Sequence, residues 1–152
     1  LDLSRVGIEG WSFGGYLAAL AVLERPDVFH AAVAGAPVTD WRLYDTYYTE
    51  RFLGRPQDEP EVYRNTSLVD KAPRLQRPLM LVHGLADDNV YAVHTLELSG
   101  ALFVAGRPHT VLPLPGVTHI AAREGVAERL LLNGVEFLRR ELASPAPLAP
   151  LG

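Results

Sequence analysis

Residues 5–16 read RVGIEGWSFGGY, and the order of apolar and small residues in them indicates the class of fold. A short apolar run containing Val6 and Ile8 ends at Gly10, Ser12 follows two residues later, and a segment rich in alanine and leucine comes next. A strand, a sharp turn with serine at its apex and a helix form a nucleophile elbow, whose sequence pattern is G-x-S-x-G. We therefore predict a strand–turn–helix unit that projects the hydroxyl group of Ser12.

The glycines on either side of this serine have a steric role in such a turn. Gly10 and Gly14 stand where side chains would collide with the neighbouring strand and helix. The helix that starts behind the serine aims its first N–H groups at the same point, so the backbone N–H of Phe13 is expected to help hold a developing oxyanion. A glycine-rich turn without chemistry is the alternative that this stretch alone leaves open.

Composition limits the class of protein. The chain has 152 residues, 48% of them hydrophobic, which suffices for one core of ordinary size. A formal net charge of -4 argues against a nucleic-acid partner, and the lack of an apolar run of spanning length argues against a membrane protein. With no cysteine, disulfides and thiolate sites are excluded, and the compartment stays open between the cytoplasm and bacterial export.

Short apolar runs alternate with helical patterns along the rest of the chain, which is typical of an α/β protein with a mostly parallel sheet and helices on both faces. The predicted strands are residues 6–8, 30–34, 79–83 and 110–114. The predicted helices are residues 14–23, 41–52, 67–71, 92–105 and 124–142. Residues 54–66 are interpreted as a surface loop. We assign residues 1–142 to one domain and expect the proline-rich residues 143–152 to be a disordered tail.

Two polar loops supply candidates for an acid and a base. In this class of fold the order along the chain is serine, acid, histidine. Asp87 and Asp88 follow the third predicted strand, and His119 follows the fourth. Because the carboxyl ends of parallel strands gather at one edge of the sheet, we expect these side chains to meet Ser12 there. The spacing does not choose between the two aspartates. The structural alternatives are that Asp87 and Asp88 form a solvated turn and that His119 is a histidine of a surface loop.

The other four histidines are interpreted as structural. His30, His94 and His109 do not follow a strand end in the required order, and His83 stands before the acid instead of after it. No pair of histidines has metal-ligand spacing together with a carboxylate on one helix face. We therefore predict no metal and no cofactor.

Aromatic residues follow the second predicted strand. Trp41, Tyr44 and Tyr48 are spaced i, i+3 and i+7, as one stripe of a helix that Asp40 caps. Core packing is the common role of such a stripe. This helix can also overhang the nucleophile, where aromatic walls would suit a compact side chain such as proline. The spacing leaves both interpretations open.

Together these motifs resemble the catalytic domain of the prolyl oligopeptidase family, and most closely its dipeptidyl peptidase IV branch. The motifs are GWSFGGY at residues 10–16, W-x-x-Y-x-x-x-Y-T-E-R-x-x-G at residues 41–54, H-G-x-A-D-D-N-V at residues 83–90, and His119. The resemblance covers nearly the whole chain. It implies an α/β-hydrolase fold and a serine-type peptidase that releases N-terminal dipeptides after proline or alanine.

The resemblance also implies roles for individual residues. It makes Ser12 the nucleophile, His119 the general base, and Asp87, not Asp88, the acid of a catalytic triad. Phe13 stands where the family usually has tyrosine, and it keeps the backbone N–H that serves the oxyanion. The residues implied to bind substrate are Val38, Trp41, Tyr44, Tyr48 and Val90, around the residue before the cleaved bond, and Asn89, on a substrate carbonyl.

Only the C-terminal part of such a catalytic domain is covered, so we interpret the chain as a fragment of a larger protein. The expected partners are then a peptide substrate and the rest of the parent chain, namely a β-propeller and the first strands of the hydrolase domain. Those strands would carry a tyrosine that is the second oxyanion donor. The alternatives are an acylaminoacyl peptidase, a carboxylesterase, or an inert fragment whose unpaired sheet edge leads to a homo-oligomer.

Overall fold

The computed structural model describes residues 2–120 and 125–143. Its centre is a parallel four-stranded sheet in which each strand pairs with the next one along the chain, in the order β1-β2-β3-β4. The strands are β1 (Gly7–Trp11), β2 (Ala31–Gly35), β3 (Leu79–Gly84) and β4 (Thr110–Leu114). The four predicted strands are confirmed, and β1 runs further than expected, to the residue before Ser12.

The two central strands are buried on both faces of the sheet. In β2, Ala32 and Ala34 belong to one hydrophobic cluster, whereas Ala31 and Val33 belong to the cluster on the opposite face. Successive side chains of a strand point to opposite sides, so a strand covered on both faces needs a continuous apolar run. This explains why the sequence of β2 shows no polar alternation.

Helices cover both faces of the sheet, as predicted. The described helices are α1 (Phe13–Glu24), α2 (Thr46–Leu53), α3 (Pro60–Thr66), α4 (Leu68–Lys71), α5 (Val93–Val104) and α6 (Val126–Ala143). Residues of α1, α4 and α5 share one hydrophobic cluster with the sheet, and α6 packs on the opposite face through Phe137 and Leu138. None of the helices in these residues combines the length and apolar composition needed to cross a membrane.

The single helix predicted over residues 41–52 is wrong. Asp40 accepts a hydrogen bond from the backbone N–H of Arg42 and caps only a 3₁₀ turn, Trp41–Leu43. The chain then extends at Tyr44 and enters α2, which Asp45 caps by accepting from the N–H of Tyr48. Each aspartate satisfies free N–H groups at a helix start, so two caps five residues apart produce two short elements.

The surface loop predicted over residues 54–66 is wrong in its second half, where α3 lies. Pro60 stands in the first turn of α3, a position that its fixed φ favours. Tyr63 is only 1% exposed, and its hydroxyl donates to the carbonyl of Gly54 at 2.7 Å. The helix is anchored by this one aromatic side chain, so the sequence shows no apolar periodicity.

The closing helix, predicted over residues 124–142, is confirmed as α6, but the described Gly125 stands before it, with a φ of 77°. Ala143, which we assigned to the tail, is the last residue of α6. The rest of the predicted tail, residues 144–152, and the predicted helix start at residue 124 lie outside the described residues.

Candidate active site

The turn after β1 holds Ser12 in a strained backbone conformation. Its φ of 60° and ψ of -119° lie where residues other than glycine are rare. The backbone N–H of Ser12 donates to the carbonyl of Gly35 at 2.8 Å, and α1 begins at the next residue. The hydroxyl oxygen of Ser12 does not cap α1 but lies 3.1 Å from Nε2 of His119.

Two glycines make this turn possible, and one of them differs from the prediction. A Cβ atom on Gly10 would lie 2.1 Å from the carbonyl oxygen of Gly14, so the steric role predicted for Gly10 is confirmed. A Cβ atom on Gly14 would meet no atom of the described residues within 4 Å, so the role predicted for Gly14 is wrong. The close approach falls on Gly15, where a Cβ atom would lie 2.3 Å from the carbonyl oxygen of Gly35.

Asp87 lies in the loop after β3 and is only 5% exposed. Its Oδ2 lies 2.8 Å from Nδ1 of His119, and its Oδ1 accepts from the backbone N–H groups of Asn89 at 3.0 Å and Val90 at 2.9 Å. Both carboxylate oxygens are therefore held in place. Asp88 is exposed. The geometry therefore distinguishes Asp87 from Asp88 as the partner of His119, which the spacing could not do.

His119 joins the other two side chains. Because a carboxylate only accepts hydrogen bonds, Nδ1 carries the proton that Asp87 accepts. In the neutral ring, Nε2 is then free to accept the hydroxyl proton of Ser12. The loop after β4 thus brings His119 to the serine and the aspartate at the carboxyl edge of the sheet, where the sequence predicted that they would meet.

Trp11, which immediately precedes the serine, supports this arrangement and was missed by the sequence analysis. Its indole N–H donates to the backbone carbonyl of His119 at 2.9 Å. Its ring also lies against the end of β2, where a Cβ atom on Gly35 would lie 2.0 Å from the ring carbon Cε3. The sequence signal for this contact was an aromatic residue inside G-x-S-x-G together with a glycine at the end of the next strand.

His83 also contacts the acid, although we interpreted it as structural. It is 1% exposed, and its Nε2 lies 2.7 Å from the backbone oxygen of Val90 and 3.6 Å from Oδ2 of Asp87. Its Nδ1 lies 2.7 Å from the hydroxyl oxygen of Thr95. Burial lowers the pKa of His83, so its ring is neutral at neutral pH. The signal was a histidine four residues before the acid at the end of a buried strand.

Aromatic rings gather beside the serine although the predicted helix is broken. The ring centroid of Trp41 lies 6.1 Å from that of Phe13, 5.9 Å from that of Tyr44 and 6.3 Å from that of Tyr48. Trp41 is buried in the core, whereas Tyr48 is 45% exposed. An apolar cavity of about 340 Å³ opens beside Phe13, Trp41 and Tyr48. The cluster therefore combines core packing with an open face.

The remaining predicted substrate-binding residues are two buried valines and one exposed asparagine. Val38 and Val90 are 2% and 0% exposed and belong to the same hydrophobic cluster as Trp41. Asn89 is exposed, and its Oδ1 accepts from the hydroxyl of Tyr44 at 3.0 Å. This bond joins the aromatic residues to the loop that carries Asp87.

A serine hydroxyl, an imidazole and a buried carboxylate in one hydrogen-bonded series form an arrangement suited to acyl transfer. Within residues 2–120 and 125–143, no group of three histidine, aspartate or glutamate side chains is arranged to hold a metal ion.

A parallel sheet with helices on both faces and a strained serine between strand and helix are features of the α/β-hydrolase fold. The model of the prolyl oligopeptidase family matches residues 1–145 of the chain. The chain therefore belongs to the prolyl oligopeptidase family and has the C-terminal part of an α/β-hydrolase fold, as the sequence motifs indicated.

Relatives of the chain are dipeptidyl peptidases. It is 40% identical over 147 residues to dipeptidyl peptidase 8 of Homo sapiens, covering 95% of this chain and 16% of that protein. Dipeptidyl peptidase 4 of Sus scrofa is 39% identical over 148 residues, covering 95% of this chain and 19% of that protein. The crystal structure of Porphyromonas gingivalis dipeptidyl peptidase 4 superposes with a TM-score of 0.88 at 36% identity, covering 92% of this chain and 20% of that one. The chain thus spans a fifth or less of the length of these relatives.

Proposed function

We propose that the protein to which this chain belongs is a serine peptidase that cleaves peptides by acyl transfer, and that Ser12, His119 and Asp87 are its catalytic triad. One observation carries the proposal. The hydroxyl oxygen of Ser12 lies 3.1 Å from Nε2 of His119, whose Nδ1 lies 2.8 Å from Oδ2 of the buried Asp87. An imidazole between a hydroxyl and a carboxylate is the arrangement that activates serine for attack.

The geometry supports the following steps. Ser12 attacks the scissile carbonyl carbon while its proton passes to Nε2 of His119. The resulting imidazolium is stabilised by Asp87 and gives the proton to the leaving amine, which departs as the acyl-enzyme forms. Water then attacks the acyl-enzyme, with His119 again taking a proton and returning it to Ser12.

The oxyanion of the tetrahedral intermediate needs preorganised donors. The backbone N–H of Phe13 is the proposed donor in this chain, because α1 starts at Phe13 directly behind the serine. The family resemblance implies that the second donor is a tyrosine hydroxyl in a part of the parent protein outside this chain. Removal of one such donor typically costs on the order of 10²–10³ in rate, so we expect full activity only from the full-length protein.

The aromatic cluster supports a proline or alanine before the cleaved bond. Trp41 and Tyr48 line an apolar cavity beside Phe13, the residue after the serine, and Tyr44 packs against both rings. Flat aromatic walls suit a small or cyclic side chain. The Tyr44 hydroxyl occupies Oδ1 of Asn89, which leaves the amide N–H groups of Asn89 to donate to a substrate carbonyl. Release of N-terminal dipeptides is proposed from the names of the relatives.

The test is turnover of a chromogenic dipeptide with proline before the reporter group, by the full-length protein. We expect Ser12→Ala to abolish turnover while the melting temperature stays within a few degrees. Wild-type turnover by Ser12→Ala would contradict the proposed nucleophile. Parallel assays with an N-acylated dipeptide and a simple ester separate the proposed activity from acylaminoacyl peptidase and carboxylesterase activities. Faster turnover of either than of the free-amine dipeptide would contradict the specificity.

A further inference from the structure

We propose that His83 is a positioning residue for the catalytic acid, and that the hydroxyl of Thr95 donates to its ring and holds the ring in place. The inference rests on the proposed function, because it assigns to His83 an effect that acts through Asp87. His83 itself is buried and has no access to substrate, since only 1% of its surface is exposed.

The hydrogen bonds of His83 fix its tautomer. A backbone carbonyl only accepts, so the contact of 2.7 Å between Nε2 and the oxygen of Val90 requires a proton on Nε2. In the neutral ring Nδ1 is then an acceptor, and the hydroxyl of Thr95, 2.7 Å away, is its donor. With the other tautomer, two acceptors would face each other at Val90, whereas the hydroxyl of Thr95 would change from donor to acceptor. The carbonyl of Val90 therefore fixes the tautomer, and Thr95 supplies the matching donor.

This tautomer points an N–H group at the acid loop. The proton on Nε2 bonds to the oxygen of Val90, while Oδ2 of Asp87 lies 3.6 Å from the same nitrogen. The backbone N–H of Val90 in turn donates to Oδ1 of Asp87 at 2.9 Å. His83, Val90 and Asp87 therefore form a closed group in which the histidine fixes the backbone that fixes the carboxylate.

His83 and Thr95, which bond to each other, belong to different elements. His83 is in β3, the central strand next to β4, and Thr95 is in α5 and 2% exposed. The first part of the acid loop donates from the N–H groups of Leu85 and Ala86 to the carbonyls of Leu114 and Val117, each at 3.0 Å, and His83 holds the far end of the loop at Val90. Loss of the ring would leave the carbonyl of Val90 buried without its donor and would loosen the carboxylate of Asp87. We expect the orientation of His119 to be lost as a consequence.

The experiment compares variants of the full-length protein by kcat/KM for the proline dipeptide and by the rate of labelling with a fluorophosphonate. Labelling depends on activation of Ser12 but not on a peptide pocket. We expect His83→Leu to lower both by on the order of 10- to 100-fold, as is typical of residues that orient a functional side chain. We expect His83→Gln to recover most of the loss, because the glutamine amide N–H reaches the position of Nε2.

Two further pairs control for folding. Thr95→Val removes the donor to Nδ1 and is expected to lower both rates, whereas Thr95→Ser keeps the hydroxyl and is expected to stay near wild type. His109 makes a similar pair with the hydroxyl of Ser99, 2.8 Å from its Nε2, but it precedes β4 at the opposite edge of the sheet. His109→Leu should leave both rates unchanged.

A double-mutant cycle with Asp87→Asn decides whether His83 acts through the acid. We expect His83→Leu to have little further effect in the Asp87→Asn background. An equal loss in both backgrounds, a His83→Gln variant as slow as His83→Leu, or an equal loss in His109→Leu would overturn the inference. If His83→Leu does not fold, the Thr95 pair decides by the same cycle. Wild-type rates in Asp87→Asn alone would instead contradict the proposed function.

Discussion

The two loops that carry Asp87 and His119, which form one hydrogen-bonded series with Ser12, are held in different ways. The acid loop, residues 84–90, has Asp87 and Val90 buried at 5% and 0% exposure, with His83 directly before it at 1%. The described part of the histidine loop, residues 115–120, is mostly exposed, and Ile120 is 74% exposed. Asp87 is thus part of the core, whereas His119, whose side chain is 15% exposed, is partly buried within a mostly exposed segment.

The contacts between the loops show how the exposed one keeps its place. Val117 is buried, and its carbonyl accepts from the N–H of Ala86 at 3.0 Å. His119 is then held by three contacts: from Trp11 to its carbonyl, and from its ring to Asp87 and to Ser12. The acid loop, through its buried residues, therefore acts as the support for the histidine loop. Changes in the acid loop should affect both folding and chemistry, and changes around the histidine loop should affect chemistry alone.

The largest expected effect comes from the acid itself. Asp87→Asn keeps the size of the side chain but removes the carboxylate that accepts from Nδ1 of His119, so the ring is free to take the wrong tautomer. We expect kcat/KM of the full-length protein to fall by on the order of 10⁴. Asp88→Asn, at the exposed neighbour, is the matched control and should stay near wild type. Similar losses in both variants would show that the acid has been assigned to the wrong residue.

A crowded glycine lets the two loops meet. A Cβ atom on Gly84 would lie 2.3 Å from the carbonyl oxygen of Val117, so Gly84→Ala must push the loops apart. We expect the free energy of unfolding to fall by about 3 kcal/mol, at the upper end of the usual cost of overpacking. Urea titration measures this change. Gly100→Ala in α5, where a Cβ atom meets no described atom within 4 Å, is the control and should be neutral or stabilising.

Buried histidines make the region behind the acid loop sensitive to acid. Burial lowers the pKa of His94, which is 0% exposed, from 6.5 to about 4. Between these values the unfolded chain binds a proton that the folded chain does not, so stability falls as the pH falls. We expect His94 to lower the free energy of unfolding at pH 5 by about 2 kcal/mol relative to its value at neutral pH.

Melting temperatures between pH 7 and pH 5 measure this loss. His94→Asn keeps an acceptor for the backbone N–H of Thr39, which bonds to Nδ1 at 3.1 Å in the wild type, but it does not titrate. We expect this variant to be less stable at pH 7 and to show a shallower decline with pH. An unchanged slope would mean that the acid sensitivity comes from other groups.

The smallest effect is expected at the histidine loop. Trp11→Phe keeps an aromatic ring against Gly35 but removes the N–H that donates to the carbonyl of His119. A neutral hydrogen bond contributes about 0.5–1.5 kcal/mol, so kcat/KM should fall about 2- to 10-fold with little change in melting temperature. A large drop in melting temperature would contradict the difference drawn between the two loops.

The sequence was sufficient for features that depend on local pattern. The apolar runs of β2 and β3 and the turn around Ser12 predicted the sheet and its functional edge, because burial on both faces leaves an unmistakable composition. The order of Ser12, Asp87 and His119 along the chain predicted that the three would meet. The family resemblance, not the spacing, chose Asp87 over Asp88.

Other features depend on contacts between distant residues, which no spacing reveals. Gly15 is crowded by β2 and not by its own turn, so its role was given to Gly14. The break between Trp41 and Tyr48 arises because Asp40 and Asp45 both act as caps, and a single helix fits the same aromatic spacing. His83 was set aside because its position before the acid excluded it as the base, although it contacts the acid in the fold.

Labelling with a fluorophosphonate tests the proposed chemistry most directly, since the reagent needs an activated serine and no particular substrate. The full-length protein, its Ser12→Ala variant and its His119→Gln variant would be treated, digested and analysed by mass spectrometry. We expect one labelled peptide that contains Ser12, no label in Ser12→Ala, and much slower labelling in His119→Gln. Label on a different serine, or undiminished labelling of Ser12→Ala, would contradict the assignment of Ser12 as the nucleophile.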